Sequence, residues 1–417
     1  MKKLLALALV AVMSLSLLVG CGGKEEGNGG EAPAGPEAIK LSVWCPQNQA
    51  EVMAKQQAAF QEANKDKWTI EWDINVVGED VMKDQILNDV EAAGDVFFFA
   101  NDQIVALQEA GALAKLGGST KEMVESTMAP SVVDTAKING DLYGIPFTHN
   151  TFFMYYDKTI MTEEDIKTLE GIINKETGEG VYNFFFDGAG GWKAGAWFYG
   201  AGLSVFGPAG DDLAAGCDWN SETGVAVVKY LMDMAANPKV AFENGIAVSE
   251  LIAEHKLGAW FDGEWNYKLY KDALGDDLGL AVLPTYNVNG KDCQLLSFYG
   301  SKCLGVNAHS KYPAAANAFA AFLGNEEQQV LRFAESAQAP TNLVAGEDPA
   351  VLADEKLSIL VAQSNTATVA QPTAAIFSNR YWSNVGALLT EIKVGNVTDA
   401  NIQEQLDKFV ETMTVAE

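Results

Sequence analysis

Residues 258–267 read Gly-Ala-Trp-Phe-Asp-Gly-Glu-Trp-Asn-Tyr. Residues 257–261 form a short apolar run of the length of a buried strand, and Asp262-Gly263 is a turn dipeptide that predicts its end. Glu264 follows as a first helical residue, where the helix dipole favours an acidic side chain. The order is strand, sharp turn, helix, with Trp265 at the carboxyl end of the strand. Ligands of open α/β sheets sit at that end. The stretch therefore predicts a fold class and places a broad apolar ring where a ligand would lie. The plainer reading of Trp260 and Trp265 is packing in a core or lid.

Working outward, the same unit recurs. A strand is predicted over 40–44, a polar loop over 45–49, and a helix over 50–63 with Val52, Gln56, Ala59 and Phe60 on one face. Residues 68–77 alternate apolar and polar as a strand does, a helix follows over 81–92, and another apolar strand over 95–99. Residues 99–103 (FANDQ) put polar groups at that strand's tip before a helix running to about residue 111. Successive units of this kind predict a doubly wound, mostly parallel sheet flanked by helices. Residues 142–147 and 152–156 are then two strand-like runs joined by Thr148-His149-Asn150-Thr151 without a helix, which reads as a crossing into a second lobe.

A strand over 183–187 leads into the Gly-rich residues 188–194, which carry Trp192 but lack the Lys-Ser/Thr of a phosphate loop, so nucleotide binding is excluded. Helices are predicted over 196–205, 222–236 and 249–255, and a strand over 278–284. Residues 301–307 return to the first lobe. Helices over 313–323, 326–337, 349–362, 374–392 and 399–413 complete the chain, the last with Thr398 as its N-cap.

A chain of 417 residues is too long for one core, and two domains are expected. The 28 Lys and Arg face 56 Asp and Glu, a net charge of −28 that repels nucleic acid and anionic lipid. Three scattered histidines (His149, His255 and His309) argue against a His-based metal site or hydrolase, and no cofactor or metal is expected. Cys45, Cys217, Cys293 and Cys303 fit no zinc spacing; they read as buried free thiols, with a Cys293–Cys303 bridge as the alternative.

Met1-Lys2-Lys3 followed by apolar residues 4–19 is a signal-peptide pattern, too short to span a membrane stably. The run ends Leu18-Val19-Gly20-Cys21, which looks like a bacterial lipobox with Cys21 as the lipidated first mature residue. Residues 22–36 contain no apolar side chain larger than Ala apart from Pro33 and Pro36 and read as a flexible tether.

Trp44, Phe99, Trp192, Trp265, Tyr381 and Trp382 lie at strand ends or in turns, each near an amide, a carboxylate or Arg380. Sugars present C–H faces to aromatic rings and hydroxyls to planar polar groups, so this pairing points to carbohydrate. A glycoside hydrolase needs two carboxylates across the scissile bond; Asp262 and Glu264, two residues apart, are a poor pair for that.

The quoted residues, with 95–102 (DVFFFAND), 139–146 (NGDLYGIP), 154–158 (MYYDK), 281–285 (AVLPT), 305–307 (GVN) and Tyr381-Trp382, resemble the solute-binding proteins of carbohydrate ABC transporters, in the maltose/maltodextrin branch and of Gram-positive lipoprotein type. The resemblance covers residues 40–413. It implies a two-lobed, type II periplasmic-binding-protein-like α/β fold with ligand between the lobes. Residues 1–20 would be the signal peptide and 21–37 the tether. Lobe 1 would take 38–149 and 302–338, and lobe 2 would take 150–301 and 339–417. By the same resemblance Trp44, Asn48, Gln49, Phe99, Asp102, Asn150, Trp192, Trp265, Arg380 and Trp382 are expected at the sugar. Asn48, Gln49, Gln103 and Asn150 stand where maltodextrin binders often have an acidic residue, Lys, Arg and Glu, which implies a less charged cleft. The expected protein is not an enzyme but a monomeric, lipid-anchored, extracellular receptor. It would capture maltose or malto-oligosaccharides, or another oligosaccharide, by hinge closure and deliver them to a membrane permease.

Overall fold

The computed structural model describes residues 35–188, 190–242 and 248–415. The expected leader, Cys21 and the expected tether as far as residue 34 lie outside these, so the lipobox reading concerns residues that are not described. Two sheets organise the rest into two lobes. The first has the order Thr368–Ala370, Ser297–Val306, Val96–Ala100, Glu37–Cys45, Trp68–Val76, with Ile145–Asn150 also paired to Ser297–Val306. The second has the order Leu278–Ala281, Phe152–Asp157, Leu257–Gly263, Tyr182–Phe186, Val240–Phe242.

The strand–helix units predicted from residue 40 onward form the parallel part of the first sheet. Glu37–Cys45 pairs in parallel with both Trp68–Val76 and Val96–Ala100, and Ala50–Ala63 and Glu79–Asn88 are the intervening helices. Val96–Ala100 is a continuous apolar run because it is central and covered on both faces. Each sheet also has antiparallel members, and the reason is topological. A parallel neighbour requires a crossover, usually helical. Ser297–Val306 and Phe152–Asp157 are instead bound up with the passages between lobes, and both run antiparallel to a central neighbour.

Phe152–Asp157 shows how the second core is built. Phe152, Met154 and Tyr156 enter one apolar cluster while Phe153 and Tyr155 enter another on the opposite face, as a two-residue period demands. A separate cluster fills the first lobe around Leu41, Phe60, Phe97 and Phe319.

Four local readings are corrected. Asp262-Gly263 does not end its strand: the two residues pair with Phe153 and Phe152. The Asp262 carboxylate accepts bonds from Gly263 N and Asn266 Nδ2, both at 2.9 Å, and from Tyr270 OH, so its turn-forming capacity is used within the sheet. The helix expected over 349–362 is two, Pro349–Leu352 and Glu355–Thr366, because Asp354 caps the second by accepting from Lys356 N at 2.7 Å. The helix expected from residue 196 begins five residues earlier, as Gly191–Gly200. A Cβ on Gly191 would sit 3.2 Å from Trp382 O and from Val385 Cβ, so its bareness lets two helices approach closely. Thr398 does not cap Ile402–Thr414. That place belongs to Asn401, whose Oδ1 accepts from Thr398 N. Cys45, Cys217, Cys293 and Cys303 are all free and buried.

Candidate functional site

Between the lobes lies a cavity of about 520 Å³ lined by Glu79, Ala100, Asp102, Gln103, Asn150, Trp192, Trp265, Lys302, Gln371 and Trp382. Its volume falls within the usual range for a small-ligand site. One side comes from the first lobe. Val96–Ala100 ends there and turns through Asn101–Gln103, and the helix Glu79–Asn88 brings in its first residue, Glu79. The other side comes from the second lobe. Trp192 follows the tip of Tyr182–Phe186, Trp265 follows the tip of Leu257–Gly263, and Trp382 lies in the long helix Ala375–Lys393. Asn150 and Lys302 sit on the paired strands Ile145–Asn150 and Ser297–Val306.

The indoles are held by edge and face contacts. Trp192 lies 5.7 Å from Trp265, centroid to centroid, at 34°, and stands edge-on to Phe152 at 4.8 Å. Its Nε1 donates to Gln371 Oε1 at 3.2 Å. Trp382 is edge-on to Phe377 at 5.5 Å and to Tyr381 at 4.9 Å. Trp265 folds back over Gly263, where a Cβ would fall 2.1 Å from the indole Cη2; only glycine leaves room for that ring. Lys302 Nζ lies 4.2 Å from the Trp265 ring centre and 2.7 Å from Glu79 Oε2, so a buried ammonium joins a first-lobe carboxylate to a second-lobe ring.

One polar atom on the first-lobe side stands apart from these pairings. Gln103 Oε1 is buried with no hydrogen-bond partner among the described residues, a condition that costs free energy. Burial pushes the Asp102 carboxyl up to about 6. Ser378 Oγ of the long helix donates to Asp102 O at 3.2 Å, a direct contact across the cleft.

Of the ten residues expected at a sugar, the structure brings together Asp102, Asn150, Trp192, Trp265 and Trp382. The other five do not line the cavity. Phe99 is buried beside Phe97, one residue short of cavity-lining Ala100. Trp44 lies over Gly94 and packs on the first-lobe core. Asn48 is exposed on a 3-10 turn, and Gln49 turns inward, donating to Gln338 at 2.8 Å and accepting from Arg332 at 3.1 Å. Arg380 donates to Met413 O at 2.7 Å; two positions from Trp382 on a helix, it emerges about 200° away. Glu79, Ala100, Lys302 and Gln371 also line the cavity and were missed, whereas Gln103 was read as a cleft position but not counted among the ten. For Lys302 there was a signal, a lone charge in an otherwise uncharged run from 293 to 308.

Residues 47–358 match the family described as bacterial extracellular solute-binding protein. The chain is 28% identical to the galactooligosaccharide-binding protein of Bacillus subtilis (strain 168), covering 99% of this chain and 96% of that one. It is 26% identical to the maltooligosaccharide ABC transporter solute-binding lipoprotein of Streptococcus pneumoniae (strain ATCC BAA-255 / R6), covering 83% and 82% of the two. A solved structure with acarbose shares 34% identity and superposes with a TM-score of 0.84, covering 91% of this chain and 99% of that one. The family match runs through both lobes, and the chain belongs to the bacterial extracellular solute-binding proteins.

Proposed function

We propose that this protein is a lipid-anchored extracellular receptor that captures an oligosaccharide between its lobes and delivers it to an ABC importer. The observation that carries the reading is the composition of the cavity. Three tryptophans line one side, and Asp102 and Gln103, the latter with an orphan Oε1, line the other. Rings take the C–H faces of a sugar; carboxylate, amide and ammonium groups take its hydroxyls. A ligand touching both sides stabilises the closed lobes by its differential affinity. The hinge would be the passages near residues 147–151, 297–302 and 339, and the lobe boundaries fall at these passages. Asp102, Asn150, Trp192, Trp265 and Trp382 are assigned to the sugar, now with Gln103 and Lys302. Cys21 is assigned to the anchor.

Malto-oligosaccharide is the leading ligand class, in line with the streptococcal relative's name and the acarbose-bound neighbour. A galacto-oligosaccharide is the second reading, favoured by the Bacillus relative that matches along the whole chain. Catalysis is not proposed. Asp262 and Glu264 both point into protein networks, and neither lines the cavity. Calorimetry of the chain from residue 22 onward with maltotriose and with a galactotriose separates the two readings. Binding to neither removes carbohydrate capture. Glucose released from maltotriose would show that the protein is an enzyme after all.

A further inference from the structure

Glu264 is the residue before Trp265, it is 2% exposed, and its two oxygens are used in a specific way. Oε2 accepts from Ala339 N at 2.9 Å, and Oε1 lies 2.5 Å from Thr148 Oγ1. The same Thr148 Oγ1 lies 2.7 Å from Ala339 O. A hydroxyl has one hydrogen. If Glu264 is ionised, that hydrogen serves either the carboxylate or the Ala339 carbonyl, and the remaining contact is oxygen against oxygen with no hydrogen between. If Glu264 carries a proton, Oε1–H donates to Thr148 Oγ1, Thr148 donates to Ala339 O, and Ala339 N–H donates to Oε2. The ring then closes with every donor and acceptor matched.

This ring joins the tip of Leu257–Gly263 to two of the passages between lobes, at Thr148 and at Ala339. The neighbouring Trp265 touches the third through Lys302. The dipeptide Glu264-Trp265 thus reaches all three passages and the cavity at once. We propose that Glu264, as a neutral carboxylic acid, is the positioning residue that fixes Trp265 against the hinge, so that occupancy of the cavity is read by the passages between lobes. The inference rests on the sugar-capture reading.

The surroundings agree. Burial raises the Glu264 carboxyl above the usual range, opposed by the Lys356 and Lys302 ammoniums and by its hydrogen bonds to Thr148 and Ala339. Each lysine has a carboxylate of its own. Lys356 Nζ is 3.0 Å from Asp354 Oδ2 on the preceding turn, and Lys302 is held by Glu79. From the other packed elements Tyr155 OH donates to Gly263 O, and Tyr299 OH meets His149 Nδ1 at 2.9 Å. Burial lowers His149 to about 4, which leaves that ring neutral. On its own strand, Asp262 is occupied by Asn266 and Tyr270.

The test is a pair of substitutions with a direct view of the proton. Glu264→Gln reproduces the neutral acid, with its amide donating to Thr148 and its carbonyl accepting from Ala339. It should bind sugar within about twofold of the parent, while Glu264→Ala should lose about tenfold or more. Carbon-13 NMR of the glutamate side chains, assigned by the peak missing from Glu264→Gln, should show a protonated carboxyl at neutral pH. The parent's affinity should fall at alkaline pH as that proton leaves, and the Gln variant should keep its affinity there. An ionised Glu264 signal at neutral pH overturns the proposal, as does a Gln variant as weak as the Ala variant. Should Glu264→Ala not fold, the Gln variant and the spectrum still decide. A parent protein that binds no sugar would instead sink the receptor reading and leave the NMR result to be judged separately.

Discussion

Two side chains carry most of what can be tested residue by residue. Trp265 and Trp382 line the cavity from the second lobe, and replacing either by Ala removes a ring that a sugar would cover. Stacking of a nucleic-acid base on a ring of this size is worth about 1–3 kcal/mol, and on that scale each variant should bind about fivefold to a hundredfold more weakly in calorimetry. Unchanged affinity in both would take the site elsewhere. Asp102 gives a pH signature. Its carboxyl is raised to about 6 by desolvation, so protonation relieves the free protein at low pH, and that contribution to stability fades as pH rises through about 6. Sugar capture runs the other way, because a carboxylate accepts from hydroxyls more strongly than a neutral acid does. Affinity should therefore decline as pH falls through about 6, and Asp102→Asn should flatten that acidic limb. At this scale the sequence was half legible. Asp102, Trp192 and Trp265 could be placed because strand tips are predictable, whereas Trp382, read as lying at a strand end or in a turn, reaches the cavity from within the helix Ala375–Lys393. Phe99 was misplaced because adjacent strand residues face opposite ways, and Arg380 because two helical steps carry it just over a half-turn from Trp382. Gln49 failed for another reason: only the fold reveals a buried Arg332 that claims it.

Among the elements, the strand Leu257–Gly263 and its short 3-10 continuation govern the site. Their existence was legible from an apolar run followed by a polar one. The length was not, because Asp262 and Gly263 are turn residues whose requirements are met inside the sheet by Asn266, Tyr270 and the Phe152 ladder. Gly263 has φ −81° and ψ 166°, a conformation open to any residue, so its bareness serves space and not backbone freedom. Gly263→Ala puts a methyl where the Trp265 ring lies, 2.1 Å from Cη2. The ring should swing out of the cavity while the strand persists. Near-UV circular dichroism should change in the tryptophan region and sugar affinity should drop by about tenfold, with the thermal midpoint moving only slightly. A variant with native affinity would show that the ring's folded-back position does not matter for capture.

For the molecule as a whole, the alternating units declared two α/β lobes from the sequence, and the helix-free passage at 148–151 declared the change of lobe. The antiparallel strands were not legible, since they follow from how a strand enters a sheet and not from its composition. The two lobes meet around a cavity whose lining includes the unpartnered Gln103 Oε1 and the desolvated Asp102 carboxyl, two groups that hydroxyls of a bridging ligand would suit. Ligand should therefore draw the lobes together and stabilise the fold in the same step. Small-angle scattering with saturating maltotriose should show a smaller radius of gyration. The unfolding free energy should rise with ligand as mass action requires, by about 2.7 kcal/mol at one hundred times the dissociation constant. Stabilisation of that size without contraction would mean that the cavity is already closed before sugar arrives, and that the work of the hinge lies in release to the importer. Contraction lost in Glu264→Ala but kept in Glu264→Gln would tie the closing motion to the ring at Thr148 and Ala339.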